Sequence, residues 1–350
     1  MSERQRGEGR GTDRSARATI YDVAERAGVS IKTVSRVVTG AGAVSAATRD
    51  RVLEAVAALH YLPNAAARNL KAGVGDAIGV IVDSIADPFF AALTSAIEDH
   101  ALAQGLSVVV GSTGRDPQRA RGQVERLAQQ RVRGIVLAPV GGEAAYLSTV
   151  VRGHPVVCVD RRADVPGLDT VRVADRAAAR RGVAHLLAHG HRRIAFLGDT
   201  TEVSTIVLRR LGYRDALRDA GIDPAPDLVL AGTGDAATAA AATETLLATR
   251  RGGATAIFAS NPRAAVGVVG TLHRLGRTDI AVVSFGDFPL AAALSPSVTV
   301  IDQDPFHVGR AAADRLLARL DGDAGPPVDV RLPTPLIPRG SGELPPSRRR

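Results

Sequence analysis

A chain of 350 residues that is 45% hydrophobic and 23% charged is longer than one ordinary domain and has the make-up of a soluble globular protein. No apolar run approaches the ~20 residues of a membrane span. The arginine-bearing N-terminus lacks the apolar stretch of a secretory signal, and the single cysteine, Cys158, excludes an intramolecular disulfide, so a reducing cytoplasm is the expected location. Cys158 lies in the apolar run PVVCVD and reads as core packing. The net charge of +8 is unevenly spread: residues 1–71 hold twelve Lys or Arg against seven Asp or Glu, including both lysines of the chain, Lys32 and Lys71. A basic excess gathered at one end points to a polyanionic partner for that end.

Residues 1–18 are too polar to offset their ordering entropy and read as a disordered basic arm. Thr19 and Asp22 then open a helix with apolar positions Ile20, Val23, Ala24 and Ala27, which Gly28 ends. Ser30 caps a second helix, IKTVSRVV, with Val34, Val37 and Val38 facing inward. Ser45 caps a third, with Val52, Ala55, Val56 and Leu59 on its apolar stripe, and Pro63 stops it. This three-helix unit spans residues 19–62. Asn64 begins a further helix of about two turns within a hinge and linker segment, residues 63–75, too short to be stable without a partner.

From residue 76 to about 340 the pattern changes to strands alternating with helices. The strands read IGVIV, SVVVG, GIVLAPV, PVVCVD, RIAFLGD, LVLAG, TAIFAS and IAVVSFG. Such alternation demands parallel sheets covered on both faces. The length exceeds one open sheet, and TVRVADR reads as the crossover into a second lobe; a TIM barrel is the competing architecture. Residues 341–350 read as a tail. The expected fold is therefore an all-α helix-turn-helix headpiece followed by an α/β core of two parallel-sheet lobes.

Residues 19–73, with the run YDVA, AGVS, TVSRV, VS, TR and YLPN at fixed spacing, resemble the DNA-binding headpiece of the lactose-repressor (LacI/GalR) family. The resemblance continues through the core to LIPRGS. It implies a transcription regulator that binds a double-stranded operator as a homodimer and senses a small molecule between two periplasmic-binding-protein-like lobes. In a helix-turn-helix the second helix meets base edges with its first residues. Here these are Ile31, Lys32, Thr33 and Arg36: Lys32 and Arg36 can donate to guanine, and Ile31 can cover a thymine methyl. Thr19, Ser30 and Ser35 are expected to hold phosphates. The resemblance makes Asn64, Ala67, Leu70 and Lys71 part of a hinge helix in the minor groove, with Ala67 allowing close approach and Leu70 wedging between base steps.

In open parallel sheets ligands sit at the carboxyl ends of strands, where Asp83, Asp160, Asn261 and Asp287 stand. The family motifs add Phe89 and Phe90, Arg209 and Gln303. Three positions depart from the family pattern: Arg176 where asparagine is common, Pro262 after Asn261 where aspartate is usual, and Gly286 where aspartate stands beside Asp287. Losing two carboxylates and gaining a cation admits an anionic effector held by Arg176 and Arg209, beside the sugar-like effector the family implies. The alternative is that Arg176 points to solvent. An enzyme is not expected, because GxxxxGK, GxSxG and Cys/His metal spacings are missing and no cofactor is implied. His185, His189 and His191 read as a helix end rather than a metal site. A transported-solute-binding protein would suit the core alone, but not the headpiece.

Overall fold

A computed structural model describes residues 18–39, 42–61, 75–141, 145–150, 152–163, 165–200, 203–248 and 253–347, and the chain divides into two units at residues 73 and 74. Most of the expected arm lies outside the described residues, as do Asn64, Ala67, Leu70 and Lys71 of the expected hinge.

The first unit contains α1 (Ile20–Ala27), α2 (Ile31–Thr39) and α3 (Ala46–Ala58). Each start is fixed by a short hydroxyl side chain. Thr19 and Asp22 form a capping box, the Thr19 backbone donating to Asp22 Oδ2 at 2.7 Å. Ser30 Oγ accepts from the Thr33 amide at 3.2 Å, and Ser45 Oγ from the Thr48 amide at 3.4 Å. Gly28 ends α1 at φ +63°. Val23, Ala24, Ala27, Val34, Val52 and Ala55 form the core, closed by Tyr61, which the apolar spacing did not single out.

The second unit has two lobes. The first runs β1 (Ala77–Val82), α4 (Pro88–Ala103), β2 (Ser107–Ser112), α5 (Pro117–Gln129), β3 (Ile135–Leu137), α6 (Ala145–Val150), β4 (Val156–Val159) and β5 (Asp169–Val173). The second runs α7 (Asp175–Ala188), β6 (Ile194–Leu197), α8 (Ser204–Asp219), β7 (Val229–Leu230), α9 (Ala236–Ala248), β8 (Ala256–Ala259), α10 (Pro262–Arg274), β9 (Ala281–Phe285) and β10 (Thr299–Ile301). The chain then returns to the first lobe through α11 (Pro305–Leu320) and β11 (Asp329–Leu332), and crosses back with β12 (Leu336–Ile337). The sheet orders are β11-β5-β4-β3-β1-β2 and β12-β10-β9-β8-β6-β7, parallel except for antiparallel β12. Two six-stranded sheets exclude the barrel.

The chain thus passes between lobes at Ala174, at residues 302–304 and at residues 333–335. The first passage falls inside TVRVADR, as expected. The central strands are apolar on both faces because helices cover both, whereas the edge strand β2 leaves Val109 and Val110 exposed. Among the described residues, four helices begin with an Asx–Pro pair: Asp87, Asp116, Asn261 and Asp304 each cap a helix whose next residue is proline. The side-chain oxygen accepts from a first-turn amide, and proline supplies a preset φ where its missing N–H costs nothing.

Residues 341–347 are not a free tail. Ser341 is buried, its hydroxyl donating to the Val282 carbonyl at 2.6 Å and accepting from the Thr299 amide at 2.9 Å. Glu343 pairs with His185 and accepts from Thr299, and His191 Nε2 meets the Leu344 carbonyl at 2.8 Å. The polar composition of this segment hid its bonding to the second lobe. Cys158 is fully buried in β4, where burial pushes its thiol up to about 11 and keeps it protonated. No helix among the described residues is long and apolar enough to cross a membrane.

Candidate functional site

In the first unit, α2 presents Ile31, Lys32 and Arg36 to solvent, with Thr33 and Ser35 half-buried beside them. Lys32 and Arg36 are one helical turn apart and share a face. Val34 is buried beneath them, so the face is held against the core rather than by its own contacts. The hydroxyls of Thr19 and Ser30 serve the helix starts: Thr19 Oγ1 donates to Asp22 Oδ2 at 2.7 Å, and Ser30 Oγ lies 2.9 Å from Thr33 Oγ1.

In the second unit, the carboxyl ends of the two sheets face each other across a cleft. Asp83, Phe89, Phe90, Asp160, Arg209, Asn261 and Gln303 all line it. Its inner part has a volume of about 50 Å³, and a wider part toward the mouth about 300 Å³. Phe89 and Phe90 stand edge to face at 5.1 Å, forming an apolar wall. Arg209, on α8, is buried and held three ways. Its Nε donates to Asp175 Oδ1 at 2.7 Å, its Nη1 to the Ser260 carbonyl at 2.7 Å, and its guanidinium lies 3.8 Å from the Phe285 ring centroid. Asn261 Oδ1 caps α10 by accepting from the Ala264 amide at 2.8 Å.

Charge fills the rest of the cleft. Asp83 Oδ1 accepts from Arg161 Nη2 at 2.5 Å, and Oδ2 from Arg115 Nε at 3.3 Å. Arg115 also donates through Nη1 to Asp199, which belongs to the second lobe. Arg263 of the second lobe lies 3.5 Å from Asp87 of the first and 3.9 Å from Asp199. Burial raises the Asp87 carboxyl, partly offset by the Phe89 amide and Arg263. Burial pushes Asp160 up to about 6 against the pull of Arg161 and Arg209.

Two expected residues stand elsewhere. Arg176 lies on α7 outside the cleft, donating to Asp215 of α8 through Nε at 2.6 Å and Nη2 at 3.0 Å. It shares a helix turn with Asp175 but points to another face, so it cannot join Arg209 in holding a ligand. Asp287 is exposed and clasped by Arg339 at 2.9 and 2.5 Å. The other two departures from the family pattern are one packing change. A Cβ on Gly286 would lie 2.7 Å from Pro262 Cγ and 2.8 Å from Gln303 Oε1, so Pro262 occupies the space an aspartate at 286 would need.

Six charged residues of the cleft were not anticipated: Asp87, Arg115, Arg161, Asp199, Asp235 and Arg263. Each sits two to five residues past the end of a parallel strand, beyond the strand-end positions that the sequence marks.

A helix-turn-helix unit followed by a two-lobed core with a charged cleft at its sheet ends defines a ligand-responsive DNA-binding regulator. The family described as bacterial regulatory proteins, lacI family, matches residues 19–64, and that described as periplasmic binding proteins and sugar binding domain of LacI family matches residues 75–339. The chain belongs to the LacI family and is a DNA-binding transcriptional regulator, not an enzyme. It is 31% identical over 333 residues to the HTH-type transcriptional regulator GalR of Escherichia coli (strain K12), covering 94% of this chain and 96% of that one. It is 31% identical to the HTH-type transcriptional repressor PurR of Aliivibrio fischeri (strain ATCC 700601 / ES114), covering 87% and 92%. Among solved structures, the Lac repressor dimer bound to operator and the anti-inducer ONPF superposes with a TM-score of 0.81 at 30% identity, covering 93% of this chain and 99% of that one.

Proposed function

We propose that this regulator represses transcription as a homodimer on a pseudo-palindromic operator, and that an uncharged, polyhydroxylated effector in the interlobe cleft sets its affinity for DNA. The observation that carries the effector class is the balance of charge in the cleft: four arginines (115, 161, 209, 263) stand among five aspartates (83, 87, 160, 199, 235). A ligand hydroxyl donates to a carboxylate and accepts from a guanidinium, so adjacent hydroxyls can take the place of both halves of an ion pair. With Arg176 outside the cleft, the motive for an anionic effector is removed.

On the DNA side, Lys32, Arg36 and Ile31 read base edges in the major groove, with Thr33 beside them. Thr19, Ser30 and Ser35 fix register on phosphates, and Asn64, Ala67, Leu70 and Lys71 act in the minor groove. The exposed Val109 and Val110 of edge strand β2 offer an apolar surface for the second copy. The effector acts only through its differential affinity for the two lobe arrangements. Selection of bound duplexes from a randomised pool should recover a pseudo-palindrome. A thermal-shift panel should show stabilisation by neutral sugars and not by their phosphate esters. The reverse ranking would sink the effector class, and no enriched duplex would sink the operator reading.

A further inference from the structure

Apart from the effector cleft, the second unit holds another cavity, of about 570 Å³, and it is walled by arginine. Arg172 of β5 and Arg331 of β11 come from the first lobe; Arg176 and Arg180 of α7 and Arg218 of α8 come from the second. The placement is locally unfavourable. Arg172 and Arg331 are register partners on adjacent strands, and Arg176 and Arg180 are one helical turn apart, so like charges oppose each other in both pairs. The carboxylates present only partly relieve this. Asp329 takes Arg172 at 2.8 Å and Arg331 at 3.1 Å, Asp215 takes Arg176, and Asp219 takes Arg180 at 2.7 Å. Asp175, also on the wall, is matched by Arg209 on its other side. Five guanidiniums therefore share four carboxylates, and the fourth, Asp175, is divided between Arg172 and Arg209.

Each guanidinium carries five N–H donors in a planar fork, and the pairs named here use at most two of them. Arg176, Arg180 and Arg331 remain 55%, 57% and 60% exposed at their side chains, and Arg218 is 79% exposed with its nearest carboxylate at 3.9 Å. Donors thus stay accessible on side chains that line the cavity. The first turn of α7 also lines it, and Ala174 gives that turn no side-chain cap.

We propose that this cavity is a binding site for a small, multiply charged phosphate-bearing metabolite, separate from the effector cleft. A volume of several hundred Å³ suits a molecule of that size. Exposed ion pairs each contribute little, so only a ligand engaging several guanidiniums at once gains useful affinity. The site spans the passage between lobes at Ala174, and its wall residue Asp175 is bonded to Arg209, which lines the effector cleft. Occupancy is therefore sensitive to the lobe arrangement, and by linkage biases it in return.

The test is calorimetric titration of the full chain with inorganic pyrophosphate at fixed ionic strength, chloride replacing pyrophosphate in the control. Saturable binding is expected. Arg218→Gln, at an exposed side chain with only a distant partner, should weaken it, and the double variant Arg176→Gln/Arg331→Gln should weaken it by about tenfold or more. Arg115→Gln, in the effector cleft, reaches this cavity only through the lobe arrangement and should change the affinity by no more than about fivefold. Absence of saturable heat with the unaltered chain would overturn the proposal. So would unchanged affinity in both arginine variants, or loss of binding on Arg115→Gln alone.

Discussion

Arg115 of the first lobe donates to Asp199 of the second while its Nε faces Asp83 at 3.3 Å, so one guanidinium ties the two sheet ends together. Arg263, 3.5 Å from Asp87, makes the converse tie from the second lobe to the first. Both arginines are about one-third exposed, so each tie is screened and weak, on the order of 1 kcal/mol or less. That is the right scale for a device that must open. Arg115→Gln should leave stability nearly unchanged but shift the effector-free chain toward the open arrangement, by up to about fivefold in population. Small-angle scattering would register this as a larger radius of gyration. An identical scattering curve would show that the tie does not bias the lobes.

The contact between α7 and α8 can be tested at a single carbon. A Cβ on Gly212 would lie 2.2 Å from the Arg176 carbonyl oxygen and 2.9 Å from the Arg180 amide, both backbone atoms. Neither can turn aside, so the helices must part. Gly212→Ala should cost about 1–3 kcal/mol, or more, in urea unfolding, although alanine favours helix over glycine by about 1 kcal/mol. A stability equal to that of the unaltered chain would mean the helices slide freely.

The fold was legible where one local rule decided it. The hydroxyl caps at Thr19, Ser30 and Ser45 and the continuous apolar strand runs each announced their elements, and the crossover at TVRVADR fell where it was read. The cleft was legible in half. Strand-end logic found Asp83, Asp160 and Asn261, but Arg115 and Arg263 are tied across the cleft to carboxylates more than eighty residues away, a spacing that no short-range pattern carries. Arg176 misled for a related reason. Its sequence neighbour Asp175 is bonded to cleft residue Arg209, while Arg176 itself turns toward Asp215. Residues 341–347 were missed because the segment is held by side-chain and backbone hydrogen bonds, which leave no hydrophobic period to read.

Dimerisation through β2 gives a third prediction. Val109 and Val110 are each about 40% exposed on an edge strand, where unpaired backbone and apolar side chains favour a second copy. Val110→Asp should give a folded chain that sediments as a monomer at concentrations where the unaltered chain is a dimer. Because two half-sites must be held together, operator affinity should fall with it. A dimer that persists would place the interface elsewhere.

On α2, Arg36 is exposed one turn after Lys32 and free of the buried core around Val34. Its removal should therefore leave the headpiece folded. Arg36→Ala should weaken operator binding by roughly 1–3 kcal/mol and relax preference at one base position in each half-site. A uniform loss across all sequences would make Arg36 a phosphate contact instead.

Asp160 sets a pH dependence whose sign is opposite to that of Asp329. Burial raises it from 3.8 to about 6, whereas hydrogen bonding from Arg172 lowers Asp329 to about 2. A raised folded value means the native state binds the proton more tightly than the unfolded chain does. Its contribution to stability is complete below the unfolded value and is lost as pH rises through about 6. Asp329 behaves conversely, contributing above the unfolded value and losing that contribution as pH falls toward about 2. The raised value of Asp160 corresponds to on the order of 2–3 kcal/mol across its window. Asp160→Asn keeps the shape and removes the charge, and Arg161 retains Asp83 as its partner. In urea unfolding at a series of pH values, the stability of the variant relative to the unaltered chain should therefore rise between about pH 4 and pH 6 and then level off. A difference that stays constant across that window would show that Asp160 is ionised in the folded chain throughout it, held so by Arg161 and Arg209.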